Sequence, residues 1–294
     1  MTELDIKSCT LCPRECRADR TAGIGFCGEG DSVRIAKIML HRWEEPCISG
    51  ADPKRGSGAI FFSGCPLHCV YCQNREISGG GKGKLYTPKE LCDEMRRLED
   101  MGAYNINFVT PTHFIHKIIE ALEIYRPSVP TVFNTGGYEK EETLKALAPY
   151  ADIFLTDLKY FSAQTAQKYS NCPDYPSVAL NALRVMVDIT GKPRLDSEGM
   201  LKKGVILRHL ILPGGRHDSK AVLSAAKDAV GCDSVILSLM SQYTPEFAPE
   251  NEKVLKRGIT SFEYNDVLDH AASLGFSGYG QDKSSATKAY TPDF

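Results

Sequence analysis

No stretch of about 18 consecutive apolar residues occurs in this chain, which excludes a membrane-spanning helix as its organising feature. The opening residues Met1-Thr2-Glu3-Leu4-Asp5 have neither the basic nor the apolar region of a secretory leader, so a cytoplasmic location and no membrane partner are expected. No charge of one sign dominates either. The 35 basic and 37 acidic residues leave a net charge of −2, interspersed along the chain, and a nucleic-acid partner is not expected. A disulfide framework is also disfavoured, because the 11 cysteines are odd in number and the chain, at 294 residues, is far longer than a small disulfide-stapled domain.

What is present is enough apolar material, 42% of residues, for one large domain or a domain with an extension, together with two groups of thiols. Cys65, Cys69 and Cys72 follow the apolar run Phe61-Phe62-Ser63-Gly64 in a C-x3-C-x2-C spacing. A cubane iron-sulfur cluster takes about four thiolates when fully capped. Three leave one metal corner open, and an open position is what separates a catalytic metal site from a closed structural one. The competing reading is zinc closed by a fourth thiol such as Cys47, Cys92 or another cysteine, or free thiols in a reducing compartment, but zinc sites usually pair C-x2-C units.

The spacing, with the aromatic Tyr71 before the last cysteine, resembles the signature of the radical S-adenosylmethionine (radical SAM) superfamily. Trp43-Glu44-Glu45-Pro46, Gly56-Ser57-Gly58 and Phe61-Phe62-Ser63-Gly64-Cys65 are similar to the branch related to pyruvate formate-lyase activating enzyme, and the similarity covers most of the chain. The resemblance implies an oxidoreductase with a 4Fe-4S cluster that binds SAM by its amino and carboxylate groups and cleaves it reductively. The resulting 5'-deoxyadenosyl radical would abstract hydrogen from a substrate, with an electron donor such as flavodoxin or ferredoxin. Nothing in the residues selects the substrate, whether a glycine in a partner enzyme, a peptide or a small molecule. A non-catalytic iron-sulfur electron-transfer protein is the alternative, disfavoured because carriers normally cap every iron. A zinc-dependent interaction module is a weaker third.

The second group, Cys9-x2-Cys12-x3-Cys16-x10-Cys27, lies among Pro13, Gly23, Gly25, Gly28 and Gly30 with little apolar periodicity. So short a segment has no core of its own, and a bound metal would cross-link it. Zinc, a second cluster and free thiols all remain open as occupants. Val33 to His41 alternates apolar and polar residues as a half-buried strand does, and a small hairpin is expected there. A shift to Pro and Gly between Glu44 and Gly58 marks a boundary near residue 56. The expected organisation is a cysteine-rich extension over 1–55 and a barrel domain over 56–294.

From Ala59 onward short apolar runs alternate with helical patterns, giving six strands over residues 59 to 275. Such alternation requires a parallel sheet with right-handed crossovers. The fold class is α/β, a partial (β/α)6 TIM-like barrel favoured by the resemblance over a doubly wound sheet. Thr87-Pro88-Lys89-Glu90 and Thr260-x2-Glu263 read as capped helix starts, and the glycine-rich run over Ser78 to Gly83 as a mobile connection. The tail from Ser277 to Phe294 is a candidate cover for the barrel mouth.

In such folds the loops at the carboxyl ends of the strands build the site. Reading those ends selects Thr110, Thr112, Asn134, Asp157, Lys159 and Arg208, with Tyr71 from the cysteine loop, as candidate SAM-binding residues. Asp157 and Lys159 fall on one face of their strand, and Thr156-Asp157-Leu158-Lys159 resembles a D-x-K segment of the same branch. Arg208 and His209 point to opposite faces, so one of them lines the interior. The branch's Gly-Gly-Glu segment after the second strand is replaced by Val109-Thr110-Pro111-Thr112-His113, which leaves its contact to the SAM amino group unassigned; Thr110 and Thr112 rank above His113. His68, Gln73 and Asn74 read as turn or supporting residues, and Cys47, Cys92, Cys172 and Cys232 as small buried hydrophobes.

Overall fold

The computed structural model describes residues 4–281. Strands β1 (Val33–His41), β2 (Gly56–Phe62), β3 (Lys84–Tyr86), β4 (Ala103–Val109), β5 (Thr131–Thr135), β6 (Ile153–Asp157), β7 (Arg194–Leu195), β8 (Leu201–Leu210), β9 (Val235–Met240) and β10 (Gly278–Gly280) form a 10-stranded sheet. Its order is β10-β9-β8-β6-β5-β4-β2-β1-β3, with β7 paired to β8. From β2 to β10 along that path every pairing is parallel, whereas β1 runs antiparallel to both β2 and β3. The two end strands do not meet, so the parallel part is the expected partial barrel.

The anticipated helices form as Pro88–Asp100, Ile115–Ile124, Glu141–Leu147, Tyr175–Thr190, Arg216–Val230 and Ser261–Leu274. Thr87 and Thr260 each close a capping box, the side chain accepting from the N3 backbone while Glu90 or Glu263 reaches back to the cap. Alternation along the strands decides what lies on each side of the sheet. Phe62, Phe108, Phe133 and Phe154 face the helices, with neighbouring centroids 6.3, 5.3 and 6.1 Å apart. The intervening residues Val132, Ile153, Leu155 and Ile206 pack on the other face with Cys47 and Ile48, which come from the short helix Pro46–Ser49 and form an apolar floor. Two residues further along the same face stand Asn134, Asp157 and Arg208. The inner face therefore turns from apolar to polar at the strand ends.

Several expectations are corrected. The strand over 33–41 does not make a hairpin of its own; its partners are β2 and β3. The glycine-rich run is pinned. Gly81 N donates to Glu29 Oε1 at 2.6 Å and Lys82 N to Ser63 Oγ at 3.1 Å. Gly80, at φ 87°, lies so close to Gly28 that a Cβ would sit 2.4 Å from the Gly28 carbonyl oxygen. These glycines serve close backbone approach, not freedom. At the tail, residues 278–280 extend the parallel sheet beside β9, and residues 282–294 lie outside the described residues.

Candidate active site at the cysteine loop

The loop after β2 is gripped by the N-terminal segment. Cys65 N donates to the Cys27 carbonyl at 3.1 Å, Arg14 Nε donates to the Pro66 carbonyl at 2.9 Å, and the His68 ring meets the Phe26 carbonyl at 3.0 Å. Gly64 makes this approach available: at φ 85° a Cβ would stand 2.6 Å from the Cys27 oxygen. His68 is thus a tether between the two cysteine segments.

Cys65, Cys69 and Cys72 line a cavity of about 460 Å³, within the range typical of small-molecule sites. Burial pushes the Cys65 thiol up to about 11 and the Cys72 thiol up to about 12. As free thiols they would stay protonated and inert, whereas a bound metal ion deprotonates a coordinating thiol outright. Donors already point at sulfur: Leu67 N to Cys65 Sγ at 3.4 Å and Ser170 Oγ to Cys69 Sγ at 3.0 Å. Among the described residues no three His, Cys, Asp or Glu side chains stand as a formed metal site. The donor chemistry nevertheless fits a 4Fe-4S cluster, with three sulfurs on one cavity wall. At the N-terminus Cys12 interacts with Cys27, Cys9 and Cys16, and burial pushes its thiol up to about 12.

Tyr71, Thr110, Thr112, Asn134, Asp157, Lys159 and Arg208 all line the same cavity. Their availability differs. Lys159 Nζ is bound by Asp157 Oδ2; burial opposes its charge, but Asp157, Cys69 and Tyr71 outweigh it and hold the ammonium above its ordinary value. Lys159 also acts electrostatically on Cys65 and Cys72, so this pair belongs to the surroundings of the thiols as much as to a ligand. Arg208 is engaged by Glu44 and, at 2.7 Å, by Glu45 Oε1; the two carboxylates outweigh burial and keep it charged. Its guanidinium is therefore committed to the protein. His209 turns the other way, its Nδ1 2.6 Å from the Leu158 carbonyl. His113 is buried against the Ser63 carbonyl at 2.6 Å and does not line the cavity, whereas Thr110 does, in the left-handed region at φ 59°. Cys47, Cys92 and Cys172 are buried as expected, and Cys232 is half-buried.

Sequence reasoning missed Glu139. It is 2% exposed, accepts from Thr112 Oγ1 at 2.9 Å, and has a second oxygen with no hydrogen-bond partner. Burial pushes its carboxyl up to about 7. Its available signal is position: it follows Asn134-Thr135-Gly136-Gly137-Tyr138 at the end of β5, one strand beyond the place where the glutamate was sought.

A parallel partial barrel whose first strand leads into a three-thiol loop, opposite polar strand ends, defines a class of cofactor-dependent enzyme scaffolds. Residues 59–193 match the model of the radical SAM superfamily. It is 26% identical over 276 residues to an uncharacterized protein of Methanocaldococcus jannaschii, covering 90% of this chain and 74% of that one. The pyruvate formate-lyase-activating enzyme of Clostridium pasteurianum is 28% identical over 110 residues, 34% of this chain and 44% of that enzyme. Among solved structures, a radical SAM methyltransferase from Sphaerobacter thermophilus is similar in fold, with a TM-score of 0.54 at 15% identity over 79% of this chain and 67% of that one. The superfamily's chemistry is SAM-dependent radical chemistry on a 4Fe-4S cluster. Among the described residues no helix is long and apolar enough to cross a membrane.

Proposed function

We propose that the chain is a radical SAM oxidoreductase of the activating-enzyme type, in which Cys65, Cys69 and Cys72 hold a 4Fe-4S cluster and the adjoining cavity holds SAM. The observation that carries this is the convergence of three thiols and the polar strand ends on one cavity. When bound, the reduced cluster supplies the electron that cleaves SAM to methionine and a 5'-deoxyadenosyl radical. The chain's own residues bind and orient. Glu139 takes the acceptor role of the missing Gly-Gly-Glu segment, its unpartnered oxygen receiving the SAM amino group while Thr112 fixes the other. The Asp157–Lys159 pair presents one charge of each sign beside it.

Hydrogen abstraction from a glycine in a partner protein is the reading favoured by the likeness to the Clostridium pasteurianum enzyme. A flavodoxin or ferredoxin serves as electron donor. The four N-terminal thiols hold a second metal, zinc or a cluster, supported by the mutual interaction of Cys12 with Cys9, Cys16 and Cys27. The test is anaerobic reconstitution, iron and sulfide analysis, and incubation with SAM and a strong reductant. Methionine and 5'-deoxyadenosine are expected. A loaded, reduced cluster whose paramagnetic spectrum ignores SAM and which yields neither product would instead establish an electron carrier.

A further inference from the structure

A chain of buried hydroxyls ends on one of the cluster cysteines. Tyr71 Oη lies 2.7 Å from Tyr160 Oη, Tyr160 Oη 2.8 Å from Ser170 Oγ, and Ser170 Oγ 3.0 Å from Cys69 Sγ. Tyr160 and Ser170 are each 1% exposed, so water does not compete for these groups. A thiolate has no proton, which orients the whole chain: Ser170 must donate to sulfur, Tyr160 to Ser170, and Tyr71 to Tyr160.

The position of Ser170 is built. It closes the helix Ala163–Ser170, whose C-cap Asn171 is left-handed at φ 50°. Arg14, from the N-terminal segment, donates through Nη2 to the Ser170 carbonyl at 2.7 Å and through Nε to the Pro66 carbonyl in the cysteine loop at 2.9 Å. One guanidinium therefore holds the serine and the loop at a set separation.

We propose that Ser170 is a redox-tuning residue: by donating a hydrogen bond to Cys69 Sγ it raises the reduction potential of the cluster bound at Cys65, Cys69 and Cys72. Reduction adds negative charge that is shared with the ligand sulfurs, so a donor to sulfur stabilises the reduced form more than the oxidised form. A hydrogen bond to a charged group is among the stronger kind, and a low-dielectric, water-free site preserves its effect. The inference rests on the cluster assignment of the preceding section.

The experiment is an anaerobic redox titration of the reconstituted full chain without SAM, followed by the paramagnetic signal of the reduced cluster. Wild type, Ser170→Ala, Ser170→Thr and Tyr160→Phe are compared at equal iron and sulfide content. Ser170→Ala is expected to lower the ratio of reduced to oxidised cluster at a fixed potential about tenfold, which for one electron is about 59 mV. Ser170→Thr, which keeps the hydroxyl, should restore most of the shift. Tyr160→Phe should move the midpoint the same way by less, because Ser170 keeps its proton but loses the group that aims it. If Ser170→Ala fails to load, Tyr160→Phe decides. An unchanged or raised midpoint in the loaded variants overturns the proposal while leaving the cluster assignment standing. A wild type that binds no cluster overturns the assignment and this proposal with it.

Discussion

Glu139→Gln tests the site through a group whose carboxyl is raised chiefly by burial, against the opposing effect of the Thr112 and Thr135 hydroxyls. Ionising Glu139 in the fold costs about 1.36 kcal/mol for each pH unit between its ordinary value of 4.5 and its value of about 7, hence about 3.4 kcal/mol. The sign follows from proton counting. Below pH 4 both folded and unfolded chains hold the proton and the group contributes nothing. Between about pH 4.5 and 7 the unfolded chain has lost it and the folded chain has not, so stability falls as pH rises; above pH 7 the full penalty is in place. Glu139→Gln keeps an oxygen for Thr112 and abolishes the titration. The assay is urea denaturation of both proteins, in the same cluster state, at pH 5 and pH 8. The stability gap should widen in favour of the variant by about 2.5 kcal/mol between the two, part of the penalty being already in place at pH 5, and SAM should stabilise the wild type more than the variant at pH 8. Parallel pH profiles, with equal SAM stabilisation, would show that Glu139 is neither strained nor a SAM contact.

Replacing Cys65, Cys69 or Cys72 by Ala should abolish the brown catalytic cluster, and iron content unchanged in all three would refute the ligand assignment. Lys159→Ala leaves the half-buried Asp157 without its ammonium and should destabilise the fold by about 1–3 kcal/mol, besides weakening SAM binding; paired denaturation and equilibrium-binding measurements separate the two effects. Arg208→Ala should cost more, about 3–5 kcal/mol, by stranding the buried Glu44 and Glu45 carboxylates, and retention of wild-type stability would mean that the triad is not formed. Gly80→Ala should lower the thermal midpoint, because its Cβ would meet the Gly28 carbonyl oxygen at 2.4 Å; an unchanged midpoint would restore the reading of this run as a loose connection.

The sequence by itself determined what depends on local pattern. The C-x3-C-x2-C spacing on Cys65, Cys69 and Cys72 is a local statement, since chain connectivity alone brings three thiols within one short loop. The capping boxes at Thr87 and Thr260 are closed within one helical turn, and the alternation of apolar runs with helical patterns needs only the periodicities of strand and helix. Even Asp157 and Lys159 on one face follow from a period of two.

Tertiary structure decided which of the polar strand ends remain available, because a side chain's partner is not encoded in its neighbours. Arg208 is committed to Glu45, 163 positions away, and Ser170 reaches Cys69 across 101. Glycine is ambiguous in sequence for the same reason: it grants freedom in isolation but permits close approach when another backbone arrives, as Gly28 does at Gly80. Glu139 has a signal in its position after β5, but its role depends on β5 lying beside β4, which brings Thr112 against one carboxylate oxygen and leaves the other without a partner in the cavity wall. Local order follows from the spacing of residues along the chain, whereas desolvation and pairing follow from which strands lie side by side.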